Sequence, residues 1–477
     1  MKPEMLEALG GWIDAHREEM LEDLSALARI PSVEGEPAPG APFGTECRRA
    51  LDAAVALFEK YGFAAEVCSE GKYGLAHVPG GENTIGIFGH LDVVPVTDDW
   101  ILTKPFEPAV HDGCLIGRGV HDDKAGVIMT LYALRAARDL GISLNCAIEA
   151  FLGANEETGM QDIDAFVAEQ PMPTVSLVPD NEYPVCLGEK GICHLWVRGN
   201  RPLETVRSIE GGIAANVILD NVTAVLDRRP GLAERLGSYC RGKDAYTLTE
   251  EEDAILLNAR GITAHGSAPE GSVNALKLLL RALTACPEIG SYDRAQLAAV
   301  RTFLEDDYGR AFGIVSEDPH FGRTTATNGM VRVTEGFLAL SFDIRYGTTY
   351  SADEIEKRVQ SAVTRAGFTV FDVNNRPGFS IPEDEPDAMA LIGAYRQVSG
   401  DSESRVIYSG GGTYARHLRH AFSCGCEAPY LHRDLGLPQG HGGLHQSDEA
   451  ISVDGLIESV KIFAAMLIDL DETYKDR

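Results

Sequence analysis

The fold of this chain is decided by the stretch IGIFGHLD, residues 85–92, in which a short apolar run ends at a histidine and an aspartate. The same arrangement occurs twice more, because apolar runs at residues 146–152 and 175–178 lead to residues 156–157 (two glutamates) and to Asp180. Short apolar runs joined by helical segments are typical of strands in a mostly parallel sheet. The pattern therefore predicts an α/β fold with helices flanking a mostly parallel central sheet.

The polar residues that follow these runs are expected to lie close together. Open α/β sheets place ligands outside the carboxyl ends of their strands. His90, Asp92, Glu156, Glu157 and Asp180 would then meet at one edge of the sheet. So many carboxylates repel one another unless a cation lies among them. The pattern predicts a metal site.

Each of these motifs also has an ordinary structural interpretation. The spacing His90-x-Asp92 fits a metal ligand with a carboxylate that orients it, but a histidine can also end a strand in a polar loop. One of Glu156 and Glu157 could bind metal while the other acts as a base, but adjacent glutamates are often a solvated surface pair.

Three further candidates have similar alternatives. In GRGVHDDK, residues 117–124, the aspartates Asp122 and Asp123 precede a helix, where either could be an N-cap. Asp180 could begin a turn, and His445 could be an ordinary surface histidine. Each of these residues is a candidate only because the other motifs occur in the same chain.

The length and the change of pattern along the chain predict a split domain. The chain has 477 residues, which is too many for one ordinary core. Beyond Gly188, residues 192–197 and 337–345 alternate apolar and polar side chains, as half-buried strands do. A Pro-rich acidic stretch at 377–386 resembles a linker. We predict a catalytic domain at 1–187 and 382–477, split by an inserted α+β domain at 188–381.

Helical periodicity is found in several segments outside these strands. They are residues 6–30, 46–60, 124–139, 273–284, 352–366 and 387–398. The helix at 124–139 should end at Gly141.

Composition excludes several classes of function. Hydrophobic residues make up 44% and charged residues 24% of the chain, and no apolar run is long enough to span a bilayer. The formal net charge of −30 should repel nucleic acid and anionic membranes. The ten cysteines form no Cys-x-x-Cys pair, and residues 1–15 lack the layout of a secretion signal. We therefore expect a cytoplasmic protein with reduced thiols.

Five ordered motifs carry a resemblance to a known family. They are GHLDVVP (89–95), PFEP to GRGVHDDKAG (105–126), GANEETGM (153–160), PDNEYP (179–184) and HQSDEA (445–450). Together they resemble the M20 metallopeptidase family, and within it the dipeptidase branch of PepV-like and carnosinase-like enzymes. The resemblance extends over nearly the whole chain.

The resemblance implies two divalent metal ions per chain, with zinc as the first expectation and manganese or cobalt as alternatives. A metal-bridged water would be the nucleophile, Glu156 the general base and Asp92 the residue that orients His90. The peptide bond after the bridging aspartate would be cis. The implied metal ligands are His90 and Asp180 for one ion, Glu157 and His445 for the other, and Asp122 for both.

The inserted domain resembles the ferredoxin-like lid of this family. The resemblance implies that His265 donates to the developing oxyanion, although a histidine in this loop could simply be solvated. Asn216 would lie near the substrate, and Arg345 would bind its carboxylate, although a strand arginine is often only an ion-pair partner. The loop Gly410, Gly411, Gly412 and Thr413 would bring backbone against the peptide, and without a phosphate-loop lysine it should not bind nucleotide.

Two departures from the family pattern concern the fit of the substrate. Ala125 stands where a second glycine is usual, and the segment 431–443 is unusually rich in glycine and histidine.

The resemblance predicts hydrolysis of dipeptides that have free amino and carboxyl ends. Asp180, where amidohydrolase relatives carry glutamate, favours a substrate with a free amine. The alternatives are an N-acyl-amino-acid deacylase or desuccinylase and a peptide-binding relative without catalysis, against which Glu156 argues. The expected partner is a small peptide, with no nucleic acid and no membrane, and the long lid implies a monomer.

Overall fold

The computed structural model describes residues 1–475 of the chain. These residues form two compact units. The first unit contains Met1–Gly188, Ile381–Ile407 and the chain from Thr413 onward, and the second contains Glu189–Ser380 and Tyr408–Gly412. The second unit is thus inserted into the first.

The first pass of the chain through the first unit contains five helices and eight strands. They are α1 (Pro3–Ala15), α2 (Arg17–Ala28), α3 (Thr45–Lys60), β1 (Ala64–Cys68), β2 (Tyr73–Val78), β3 (Thr84–His90), β4 (Ala109–His111), β5 (Cys114–Ile116), α4 (Lys124–Asp139), β6 (Ala147–Gly153), α5 (Gln161–Glu169), β7 (Val175–Val178) and β8 (Cys186–Glu189).

The inserted part of the chain is richer in strands. It contains β9 (Gly191–Gly199), β10 (Val206–Gly211), β11 (Asn221–Asp227), α6 (Leu232–Cys240), β12 (Tyr246–Glu250), β13 (Ala254–Arg260), α7 (Ala275–Thr284), α8 (Ser291–Phe303), β14 (Glu317–Asp318), β15 (Gly322–Arg323), β16 (Thr325–Thr327), β17 (Val331–Thr334), β18 (Phe337–Tyr346), α9 (Ala352–Arg365), β19 (Phe368–Arg376) and β20 (Phe379–Ser380).

The last part of the chain, apart from Tyr408–Gly412 in the second unit, completes the first unit. It contains α10 (Pro386–Ser399), β21 (Ile407–Ser409), β22 (Ala421–Ser423), β23 (Ala450–Ser452) and α11 (Val453–Glu472). None of the described helices combines the length and the apolar character that crossing a membrane requires.

The sheet of the first unit has parallel strands at its centre. Its order is β1-β2-β6-β3-β7-β22-β8, in which β6, β3, β7 and β22 run parallel and the outer strands pair antiparallel. The strand β3 is buried almost throughout, as expected of a strand with helices over both faces. The helix α4 packs against β3, α2 and α11, and residues on all its sides are buried. This is the predicted α/β class.

The sheet of the second unit is antiparallel. Its order is β12-β13-β11-β10-β17-β18-β9-β19. In β9, Cys193, Leu195 and Val197 are buried and join one apolar cluster with side chains of α7, α8 and α9. The alternation predicted for residues 192–197 is therefore confirmed, and the unit is α+β.

Two predicted elements differ in detail. The helix predicted at 6–30 is broken at His16, whose φ of −105° is not helical, and whose ring stacks on Trp12 with Nδ1 2.7 Å from the Trp12 carbonyl. The strand β18 is buried almost throughout and is not half-exposed as predicted, because it lies inside the sheet and its polar residues have partners. The Ser341 hydroxyl, for example, accepts the N–H of Met330.

The helix α4 begins and ends as predicted. It covers Lys124–Asp139, and Gly141 follows with a φ of 70°, a backbone conformation that favours glycine.

Candidate metal centre

The carboxyl ends of three neighbouring strands of the first unit place the candidate residues. β3 ends at His90, and it pairs in parallel with β6, so that His90 lies opposite Gly153. β3 also pairs in parallel with β7, which ends at Val178. The loops that follow these strands therefore leave the sheet at the same edge, as the sequence indicated.

Two groups of possible metal ligands meet at this edge. In the first group the Nε2 atom of His90 lies 3.1 Å from Asp122 Oδ1 and 3.8 Å from Asp180 Oδ2. In the second, the Nε2 atom of His445 lies 3.0 Å from Asp122 Oδ2 and 3.2 Å from Glu157 Oε1. Within each group the donor atoms all lie within 4.8 Å of one another. Asp122 belongs to both groups and offers a different oxygen to each.

The donor set fits a pair of divalent ions. Imidazole nitrogen and carboxylate oxygen are the ligands that zinc takes in catalytic sites, and manganese and cobalt accept them as well. His90 is only 1% exposed, and its Nε2 atom makes no hydrogen bond of acceptable geometry with any described residue, although Asp122 is close. A buried polar atom without a hydrogen bond is costly, and a cation would satisfy it.

Burial and mutual repulsion raise the pKa values of both glutamates of the cluster. Burial raises the pKa of Glu156 well above its ordinary value, and the charges of Asp180 and Glu157 add to this effect. Burial, and then the charge of Asp122, also raise the pKa of Glu157. Bound cations would relieve this repulsion.

The same negative charge raises the pKa values of the two histidines. Contacts with Asp122 and Glu157 raise the pKa of His445 to about 11. Burial would lower the pKa of His90, but the nearby carboxylates of Asp122 and Asp92 raise it above its ordinary value. The pKa of Asp122 is lowered because contacts with His445 and His90 outweigh its burial. Without a metal ion, the surrounding carboxylates therefore favour the protonated forms of the two histidines.

Zinc binding is therefore expected to release protons at pH 7. The pKa of His445, raised to about 11, favours its protonated form at pH 7, and only neutral imidazole can bind a metal ion. The affinity for Zn²⁺ should fall as the pH falls, and the calorimetric heat of binding should differ between buffers of different ionisation enthalpy. Equal heats in all buffers, after correction for dilution, would contradict this protonation state.

Asp92 connects the histidine to the glutamate pair. Its carboxylate oxygens accept the backbone N–H groups of Glu156 at 3.1 Å and of Glu157 at 3.0 Å. The Nδ1 atom of His90 lies 3.0 Å from the Asp92 carbonyl oxygen and 3.5 Å from its carboxylate. The closer partner of the ring is therefore the backbone of Asp92, whereas the carboxylate holds the loop that carries the glutamates.

Asp123 is buried behind His90. Its side chain is fully buried, and Oδ2 accepts the backbone N–H of His90 at 3.2 Å. The peptide bond between Asp122 and Asp123 is cis. A Cβ atom on Gly126 would lie 2.1 Å from Asp123 Oδ1, so this position requires glycine. Asp123 is the N-cap residue of α4, but its side chain makes no capping hydrogen bond.

Asp162 and Tyr414 form hydrogen bonds at the same edge of the sheet. The sequence did not indicate either residue. Asp162 is fully buried and accepts the N–H groups of Ala154 at 2.7 Å and Asn155 at 2.9 Å, immediately before the glutamate pair. The Tyr414 hydroxyl donates to the same carboxylate. An aspartate in the first turn of a helix, such as α5, is too common to be singled out from sequence.

The loop that carries His445 has an unusual backbone. His445 has a φ of 61° and Asp448 has a φ of 54°, in the left-handed region that few residues other than glycine adopt. Asp448 anchors the loop, because its carboxylate accepts the N–H groups of Ile101 at 3.0 Å and Leu102 at 2.8 Å. The Nδ1 atom of His441, in the segment that departs from the family pattern, lies 2.7 Å from the same carboxylate.

Asn216 and His265 of the second unit lie close together. The N–H of Gly266 donates to the carbonyl of Asn216 at 2.7 Å, and Val217 forms an isolated β-bridge with His265. The Nδ1 atom of His265 lies 2.7 Å from the Ser267 hydroxyl. His265 thus belongs to a local hydrogen-bonded turn.

Arg345 has partners within the second unit. Its Nε atom donates to Asp343 Oδ1 at 2.8 Å, and Nη1 donates to the carbonyl of Gly410 at 3.4 Å. The N–H of Gly411 donates to the Ser409 hydroxyl at 3.0 Å. Thr413 belongs to the first unit, and its hydroxyl accepts the N–H of Ala415 at 3.1 Å.

A third group of possible metal ligands lies elsewhere in the first unit. It consists of Glu385, Asp387 and His420. Asp387 already accepts the hydroxyls of Thr473 and Tyr474, and His420 Nε2 lies 3.1 Å from its carboxylate. These contacts attach the end of α11 to the start of α10, so the group has a structural explanation.

Comparison with known proteins identifies the family. The sequence profile of the peptidase family M20/M25/M40 matches residues 86–469, which is most of the chain. The protein of Bacillus subtilis (strain 168) named "Putative dipeptidase YtjP" is 28% identical over 470 residues, covering 95% of this chain and 97% of that protein. The "Putative dipeptidase SSP1012" of Staphylococcus saprophyticus is 26% identical, covering 94% of this chain and 97% of that protein.

Solved structures share the fold at lower identity. Human carnosine dipeptidase 1 is 18% identical with a TM-score of 0.59, covering 98% of this chain and 100% of its own. The dipeptidase Dug1p of Saccharomyces cerevisiae is 14% identical with a TM-score of 0.60, covering 98% of both chains. The extent of the profile match shows that the chain belongs to the peptidase family M20/M25/M40, a family of metallopeptidases.

Proposed function

We propose that this chain hydrolyses dipeptides with free amino and carboxyl ends at a centre of two divalent metal ions. The observation that carries the proposal is the position of Asp122, whose two oxygens lie about 3 Å from the Nε2 atoms of two different histidines. A carboxylate placed in this way is suited to bridge two cations.

The two groups of possible ligands support an assignment of ligands to two ions. His90 and Asp180 would hold one ion, Glu157 and His445 the other, and Asp122 both. Zinc is the first candidate, with manganese or cobalt as alternatives, and the bound ions would polarise the scissile carbonyl and lower the pKa of the attacking water.

Glu156 is proposed as the general base. Its backbone is held by Asp92, and burial raises the pKa of its carboxylate above the ordinary value of a glutamate. It would accept the proton of the attacking water and then give it to the leaving amine. The two transfers return Glu156 to its starting state in each cycle.

The proposed substrate contacts recognise the two charged ends of a dipeptide. Asp180 would pair with the ammonium group, and Arg345 would bind the carboxylate through its planar guanidinium group. His265 would donate to the oxyanion, an interaction worth about 3 kcal/mol in other hydrolases. The remaining proposed contacts are Asn216, Gly411, Gly412 and Thr413. The names of the curated relatives and of the human structure support dipeptides as the substrate class.

A substrate panel tests this proposal. Zinc-reconstituted protein is expected to hydrolyse Ala-Ala with a kcat/KM about 10–100-fold higher than N-acetyl-alanine, N-succinyl-alanine or Ala-Ala amide. Each blocked end removes one charge-assisted contact, which is worth about 1.5–3 kcal/mol. Initial rates of amine release would be measured with Zn²⁺, Mn²⁺ and Co²⁺.

The pattern of rates distinguishes the alternatives. Faster hydrolysis of the acyl substrates would identify an N-acyl-amino-acid deacylase or desuccinylase. Stoichiometric peptide binding without turnover, with every metal, would identify a binding protein.

The proposed setting is a cytoplasmic monomer. All ten cysteines are free thiols, as expected in a reducing compartment. Sedimentation velocity and cell fractionation would test the two parts of this assignment.

A further inference from the structure

Glu449 has an unusual set of hydrogen bonds beside the metal centre. It lies four residues after His445, immediately before β23, and is 1% exposed. Its carboxylate accepts four hydrogen bonds. Three of them come from backbone N–H groups within residues 119–122. The donors are Arg118 Nη1 at 2.6 Å and the N–H groups of Gly119 at 3.1 Å, His121 at 3.0 Å and Asp122 at 3.1 Å.

The charge of Glu449 is balanced within the first unit. Arg118 is 2% exposed, and its guanidinium carbon lies 5.7 Å from the centre of the Trp100 ring. A buried carboxylate needs such a partner, because an unpaired charge in a dry environment is costly. Arg118 therefore balances the charge of Glu449, and the same carboxylate can hold backbone N–H groups as well.

The backbone of Glu449 holds the same segment. The N–H of Gly117 donates to the Glu449 carbonyl at 2.9 Å. Through its main chain and its side chain, Glu449 thus holds the whole segment from Gly117 to Asp122. The contacts end at the residue whose two oxygens face His90 and His445.

We propose that Glu449 is a positioning residue for the metal centre: it holds the backbone of Asp122 so that each carboxylate oxygen faces one group of ligands. The inference rests on the proposed dinuclear function. A residue that orients a metal ligand typically changes metal affinity by 10–100-fold when it is replaced. Because Asp122 is shared, a change at Glu449 should weaken both metal-binding steps and not only one.

Asp471 provides a matched control for Glu449. It is 2% exposed in the same unit, and its carboxylate accepts the backbone N–H groups of Asn145 and Cys146 at 2.8–2.9 Å. Like Glu449, it is a buried carboxylate that accepts consecutive or nearly consecutive backbone N–H groups, but its partners precede β6 and include none of the proposed ligands. Asp471→Asn should therefore lower stability without changing metal affinity.

The test is a titration of the full-length protein with Zn²⁺ in competition with a chromophoric chelator. Glu449→Gln is expected to weaken both binding steps by about 10–100-fold, and Glu449→Asp to weaken both by less, because the shorter carboxylate keeps its charge but cannot reach all four donors. Asp471→Asn should bind as the wild type does. Thermal unfolding in excess chelator gives the stability of each metal-free variant.

Wild-type affinity in a folded Glu449→Gln variant would overturn the inference, whatever its unfolding temperature. If circular dichroism finds Glu449→Gln unfolded, Glu449→Asp decides: weaker binding at both steps supports the inference, and wild-type binding or the loss of a single step overturns it. Failure of the proposed function has a different signature, since the wild type itself would then bind fewer than two equivalents of Zn²⁺.

Discussion

Glu156→Gln is expected to lower kcat for Ala-Ala by about 10²–10⁴-fold while the protein still binds two equivalents of zinc. Glutamine has the size of glutamate, but it cannot accept the proton of the attacking water. Glu156 belongs to neither group of possible metal ligands, so metal affinity should change little. The measurement is single-turnover hydrolysis by the variant, together with its metal content.

Glu149→Gln is the matched control for this experiment. Glu149 lies on β6, the strand that leads to Glu156, and burial also raises its pKa. The Nδ1 atom of His77, which is outside the metal centre, lies 3.9 Å from the Glu149 carboxylate. Glu149→Gln should retain wild-type turnover. Unchanged turnover in Glu156→Gln would remove Glu156 from its proposed role, and loss of metal from that variant would assign it as a ligand.

Asp122→Asn is expected to weaken zinc binding at both steps by more than about 100-fold, which exceeds the usual effect of an orienting residue, and to abolish detectable hydrolysis. The amide removes the negative charge between the two ions and places a nitrogen where one ligand oxygen stood. The measurement is the same competitive zinc titration, read against hydrolysis at saturating metal.

Asp123→Asn tests whether the charge of Asp122 itself is responsible for the affinity for zinc. Burial, and then the charge of Asp180, raise the pKa of Asp123 well above its ordinary value, and its Oδ2 atom accepts the N–H of His90. Asparagine keeps an oxygen that can accept this N–H, and Asp123 belongs to neither group of possible metal ligands, so the effect of Asp123→Asn on zinc affinity should be much smaller than that of Asp122→Asn. Equal effects of the two substitutions would contradict the bridging role of Asp122.

Local pattern was sufficient to predict the elements that surround the site. The apolar runs that end near His90 and Asp180 are strands, and α4 follows its predicted bounds, because periodicity and turn residues act within a few residues of chain. Two other predictions differ from the structure because of side-chain contacts. His16 contacts Trp12 and breaks a predicted long helix, and Asp343 pairs with Arg345 inside a buried strand.

The sequence by itself determined the fold class, the family and the identity of the residues that gather at the strand ends, because these depend on short motifs and on the order of strands. Only the tertiary structure decided which atoms face one another. It placed one oxygen of Asp122 toward each histidine and the carbonyl of Asp92 near His90. It also brought the carboxylate of Glu449 within hydrogen-bond distance of the backbone N–H of Asp122. Glu449 and Asp122 are separated by more than three hundred residues, and no local pattern reports a hydrogen bond over that distance.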